Sequence, residues 1–140
     1  MQDIQLIELF IQITRKMIRL VVPVYKAENL SITEAIVLWR VYREQSYRTT
    51  ELAETIGIPP STMTGILDRL VSKKWLERVP DPEDRRVMLI VIRPQGTALV
   101  QQLIQTTKNE FSEAFDALSQ KRNERLISDL KLILDHLEHR

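Results

Sequence analysis

A chain of 140 residues with 44% hydrophobic and 28% charged residues has room for one domain with its own core and is too apolar for disorder. Its formal charge of +1 excludes histone-like binding through bulk charge, so any affinity for nucleic acid must come from where the arginines sit. The absence of cysteine excludes disulfides, zinc–thiolate sites and thiol redox chemistry.

The chain opens on Gln2-Asp3 without a basic leader, and no apolar run reaches membrane length, so a cytoplasmic protein is expected. From residue 4 to 24, Ile4, Ile7, Ile11, Ile18 and Val22 share one helical side, while Leu6, Phe10, Ile13, Met17, Leu20 and Val24 share another. A helix apolar over so wide an arc must be covered on more than one side. Pro23 is expected to kink or end it. Ser31-Ile32-Thr33-Glu34 is a capping box that starts a second helix. That helix has Ile32, Ala35, Ile36, Trp39 and Tyr42 on one face and ends near Glu44.

Thr49 to Ile56 reads as a short third helix, stopped by Gly57. Pro60 suits the first position of a fourth helix reaching about Lys73. Met63, Ile66, Leu67, Leu70 and Val71 form its inward stripe, leaving Ser61, Thr62, Thr64, Gly65, Arg69 and Ser72 outside. Two β-rich runs follow, 77–79 and 87–92, joined by the charged segment 80–86. Pro94-Gln95-Gly96 reads as a break before a helix from about Thr97 to Ala117. Ser119 then caps a last helix carrying Leu126, Ile127, Leu130, Ile133, Leu134 and Leu137. The expected fold is mostly α, with about six helices and a small β-hairpin wing: a winged helix-turn-helix. The expected divisions are a dimerisation helix over 1–28, a reading lobe over 29–96 and dimerisation helices over 97–140. The ends carry more apolar surface than one small core absorbs, which points to a homodimer, a larger monomeric helical core being the alternative.

Six motifs in order carry a resemblance: Glu51-Leu52-Ala53, Gly57-Ile58, Pro60-Ser61-Thr62-Met63-Thr64, Leu67-Asp68-Arg69-Leu70, Trp75-Leu76-Glu77-Arg78 and Asp81-Pro82-Glu83-Asp84-Arg85-Arg86. Through them the chain resembles the MarR family of bacterial transcriptional regulators over nearly its whole length. The resemblance implies a homodimer built from both chain ends. It implies binding to a pseudo-palindromic operator on double-stranded DNA, usually as a repressor, and release by a small aromatic or phenolic ligand. It also implies a DNA-facing set of Thr50, Pro60, Ser61, Thr62, Thr64, Arg69, Arg85 and Arg86. Arg86 takes the minor groove, with Asp84 orienting the wing. The chain departs from the family pattern at three places. Gly65 stands where an arginine is frequent, Pro59 where a capping serine is common, and Lys74 where a glycine often ends the helix. A left-handed Lys74 would cost on the order of 1 kcal/mol.

The chemistry of these residues fits that role. Hydroxyls at a helix start bond phosphates or base edges, although they are also ordinary helix-start residues. Arginine enters a narrow minor groove where the potential is most negative. For Arg69 the competing reading is an ion pair with Asp68 or Glu77; for the wing it is a solvated charged loop. Asp81, Glu83 and Asp84 lack the glycine and distal glutamate of a calcium loop, and His136 and His139 lack thiolate partners, so no metal or other cofactor is expected. Trp39, Tyr42 and Met17 are candidates for an effector cavity, or ordinary core. No spacing marks a catalytic constellation, so an enzyme is not expected. The remaining alternative is a winged-helix protein-interaction module without specific DNA binding.

Overall fold

The first helix, α1 (Gln2–Ala27), runs on through Pro23 rather than stopping there. It closes where Asn29 turns left-handed at φ 57°, a conformation asparagine tolerates, and the Leu30 N–H bonds back to the Tyr25 carbonyl at 2.9 Å. The structure, a computed structural model, describes residues 1–139. These group into two compact units, one ending at Thr107 and the other beginning at Lys108.

In the first unit, α2 (Ile32–Glu44) starts on the expected capping box, the Ser31 hydroxyl accepting the Glu34 N–H at 3.1 Å. Its inner face differs from the one expected. Ala35, Val37, Leu38 and Val41 are buried, whereas Ile36 and Trp39 are exposed. Two apolar arcs overlap along this helix, so periodicity does not separate them. The arc that meets the core is the one rich in Val and Leu. A strand not anticipated from the sequence follows, β1 (Ser46–Arg48). Then come α3 (Thr49–Ile56), Gly57 at φ 78°, and α4 (Pro60–Ser72). Lys74 is left-handed at φ 60°, as the missing glycine foretells, and the Trp75 N–H closes the helix end on the Leu70 carbonyl at 3.2 Å.

Strands β2 (Leu76–Pro80) and β3 (Met88–Ile92) form the expected antiparallel hairpin. β1 adds to its other side, with Tyr47 opposite Ile90, so the wing belongs to a three-stranded sheet of order β1-β3-β2. Beneath it lies one core, in which Leu38, Leu52, Met63, Leu67, Leu70 and Ile90 are almost wholly buried. The inward stripe of α4 is therefore as expected. Each of its side chains removes apolar area from water, worth about 1.5–3 kcal/mol when complete.

Pro94-Gln95-Gly96 is not a break but the first turn of α5 (Pro94–Asp116), where proline's missing N–H costs nothing. Gly96 is required by a close approach: a Cβ there would lie 2.2 Å from the Trp75 carbonyl oxygen. In the second unit, Phe111 and Phe115 pack with their rings tilted by 36° and their centroids 5.9 Å apart. Ser119 caps α6 (Gln120–Glu138), its hydroxyl accepting the Arg122 N–H at 3.4 Å.

Neither α1 nor α6 has a buried residue. Ile4, Ile7 and Ile11 on the first, and Ile127, Leu132 and Leu137 on the second, are more than half exposed. Among the described residues, no helix is long and apolar enough to cross a membrane.

Candidate nucleic-acid interface

The start of α4 presents Pro60, Ser61, Thr62 and Thr64 to solvent, with Thr50 exposed on α3. The N-cap is Pro59 and gives no side-chain bond, so the first N–H groups of α4 receive no side-chain cap. Such N–H groups and the positive end of the helix dipole favour a phosphate. The Thr64 hydroxyl is different in kind. It donates to the Pro60 carbonyl at 3.0 Å, the local bond expected of a helical threonine, so in this rotamer its oxygen can only accept. Gly65 lies on the same outward face, and a Cβ built there meets nothing within 4 Å.

Arg69, the next outward cation, forms an ion pair with a partner the sequence did not suggest. Its Nε donates to Glu34 Oε1 at 2.6 Å. Asp68, one of the two partners expected for it, instead accepts from Arg78 Nη2 at 2.7 Å, tying α4 to β2. Among the described residues, Glu34 is one of two buried polar or charged residues, 6% exposed. Burial pushes its carboxyl up, but the Ser31 N–H, the Arg69 hydrogen bond and charge, and the Lys73 charge together hold it below the ordinary glutamate range.

The wing is built from the other buried acid. Asp81, 6% exposed, accepts the Glu83 N–H at 2.9 Å through Oδ1 and lies 3.5 Å from Arg48 Nη2 through Oδ2. Backbone bonds from Asp81 N to the Val87 carbonyl (2.8 Å) and from Val87 N to the Asp84 carbonyl (2.9 Å) close the loop. Asp84 Oδ1 accepts both the backbone N–H and the Nε–H of Arg86 at 3.1 Å, and Oδ2 accepts from Nη2 at 3.4 Å. These bonds, with a smaller contribution from Arg48, hold the Asp84 carboxyl below its ordinary value. The Arg86 side chain is 91% exposed. Arg85 is exposed beside it. A guanidinium gripped along one edge by its own loop and otherwise bare is aimed rather than buried, which is what insertion into a groove requires.

These contacts leave Asp81 and Asp84 each facing an arginine, an arrangement suited to orienting cations rather than binding calcium. Sequence reasoning missed Arg48, Glu34 and Lys73. Their partners are tens of residues away, and only a signal for β1 could have brought Arg48 to the wing. Tyr42 packs on the core, Trp39 carries Arg43 over its ring at 5.1 Å, and Met17 is 42% exposed.

A family model described as MarR family matches residues 30–88, the segment that holds α4, β2 and the charged loop of the wing and ends at the first residue of β3. The multiple antibiotic resistance protein MarR of Salmonella typhimurium is 31% identical over 74 residues, 53% of this chain and 51% of that protein. The chain thus spans about half the length of that curated relative. A crystal structure of a Cys-to-Ser mutant of Escherichia coli MarR complexed with operator DNA is 27% identical, covers 95% of this chain and 96% of its own, and has a TM-score of 0.73. MepR, a transcription regulator of the Staphylococcus aureus multidrug efflux pump MepA, has the same fold at 20% identity, with a TM-score of 0.73 and coverage of 92% of this chain and 96% of its own.

Proposed function

We propose that the chain is a member of the MarR family: a transcriptional regulator, not an enzyme, that binds double-stranded DNA. It reads a pseudo-palindromic operator as a homodimer, acting as a repressor in the bacterial cytoplasm. The observation that carries this reading is the Asp84-held, 91% exposed Arg86 on the same unit as a helix whose outer face is Ser61, Thr62 and Gly65. The hydroxyl face suits the major groove and the wing arginine the minor groove beside it. Thr50, Pro60, Thr64, Arg69 and Arg85 complete the proposed contact set, mainly to phosphates, which fix register and orientation on the duplex.

The uncovered apolar sides of α1 and α6 support the homodimer, since exposed apolar surface on this scale marks an interaction face. Divisions at 1–28, 29–96 and 97–140 into dimerisation and reading segments go with it. Release by a small aromatic or phenolic ligand is supported by the resemblance to the MarR family alone.

A selection of genomic fragments with purified protein tests the reading. One recovered motif with two-fold symmetry, bound by a species of twice the chain mass with affinity falling steeply as salt rises, is the expected result. Equal weak binding to every duplex would overturn it in favour of a protein-interaction module. Titration of the complex with a small phenolic anion tests the release.

A further inference from the structure

The capping box of α2 has a second partner. Glu34 accepts the Ser31 N–H through Oε2 at 3.1 Å and the Arg69 Nε–H through Oε1 at 2.6 Å. Its side chain is 8% exposed, whereas that of Arg69 is 58% exposed. One turn along α4, Lys73 Nζ donates to the Asn29 carbonyl at 2.8 Å. Positions 69 and 73 are neighbours on one helix face. Arg69 is therefore tied to the first turn of α2, and Lys73 to the stretch that joins α1 to it. The cap alone does not explain an ionised, buried acid, because glutamine serves equally at that position and needs no counter-charge. The second oxygen has a different task.

We infer that Glu34 is a positioning residue of the DNA interface: its grip on Nε sets the direction in which Arg69 presents the rest of its guanidinium, and with the Lys73–Asn29 bond it sets how α4 is rotated against α2. The inference rests on the operator-reading role proposed above. Two effects oppose each other. A carboxylate near a phosphate repels it, and this penalty falls on every duplex alike. Pre-ordering a flexible side chain spares that ordering on binding, and it helps only the duplex whose phosphates lie where the fork points. Glu34 therefore raises the ratio of operator to random binding rather than binding as such.

The test compares wild type, Glu34→Gln, Arg69→Ala, their combination and Ser31→Ala. Each is measured on the selected operator and on a scrambled duplex at one salt concentration, with a urea midpoint beside it. Glu34→Gln keeps the cap. Its operator-to-scrambled ratio is expected to fall about fivefold, as one side chain loses its pre-ordering. Binding to the scrambled duplex should hold or strengthen, because a negative charge has gone. Arg69→Ala should lower the ratio by a similar factor and the combination no further, since one residue acts through the other. Ser31→Ala should lower the urea midpoint and leave the ratio alone. An unchanged ratio in Glu34→Gln, additive losses, or an equal loss in Ser31→Ala would overturn the inference alone. A wild-type protein that prefers no duplex would overturn the operator reading and this inference together.

Discussion

Arg69 on α4 and Arg86 on the wing are both held by a carboxylate, but the carboxylates come from different places. Asp84 is two residues from Arg86 in a loop that closes on its own backbone. Glu34 is 35 residues from Arg69, on another helix, and buried. The first pair is exposed and adds little to stability, so its effect is on direction. In the second only the acid is buried, and removing Arg69 leaves that carboxylate uncompensated at a cost the fold feels. The wing therefore carries its geometry locally, whereas the helix obtains its geometry from the packing of α2 against α4.

The harshest way to break that difference is to remove the frame under α4. Leu70 is fully buried, and Leu70→Ala should lower unfolding free energy by about 3 kcal/mol, read from urea denaturation. Less than about 1 kcal/mol would mean that α4 does not depend on this core. Next comes the wing itself. Arg86→Ala should weaken operator binding by about 1–3 kcal/mol in a fluorescence titration. Its stability to urea should hold within about 0.5 kcal/mol, because the side chain is almost fully exposed and bonds to Asp84 of its own loop. Matched losses of binding and stability would erase the distinction between the two regions.

A smaller effect sharpens the comparison from the helix side. Gly65 has open space at its Cβ position, so Gly65→Ala should raise stability by up to about 1 kcal/mol, seen as a higher Tm. A lower Tm would mean that this turn of α4 is not a free helical surface.

The smallest effect is that of mild acid. Both carboxyls lie below their ordinary values in the folded chain. A depressed group contributes stability that is complete above its unfolded pKa, about 3.9 for Asp and 4.3 for Glu, and is lost as pH falls through the folded value. Between pH 7 and pH 5 neither tie should change the urea midpoint. Below about pH 4 the loss should begin, and the Glu34→Gln protein should lack the share due to Glu34. A midpoint falling between pH 6 and 5 in wild type but not in Glu34→Gln would contradict the assigned direction.

Much of this molecule was legible in advance. The capping box, the left-handed Gly57, the inward stripe of α4, the hairpin and the Asp84–Arg86 loop each follow from residues within a few positions of one another. Gly65 and Lys74 were legible as departures, and the left-handed Lys74 backbone is the one the missing glycine predicted. What escaped has a common cause. β1 is three residues long, with no alternation to detect, and exists because β3, more than 40 residues later, supplies its hydrogen bonds. Without β1, nothing brings Arg48 to Asp81.

The sequence by itself determined where α2, α3, α4 and α6 start and which groups stand at the wing, because caps, turns and stripes are short-range and repeat on a helical period. Only the tertiary structure decided which apolar arc of α2 is buried, that Glu34 holds Arg69, and that Pro94 begins a helix. Each of those depends on what lies across the core or beside the turn, and a one-dimensional pattern does not contain that neighbour.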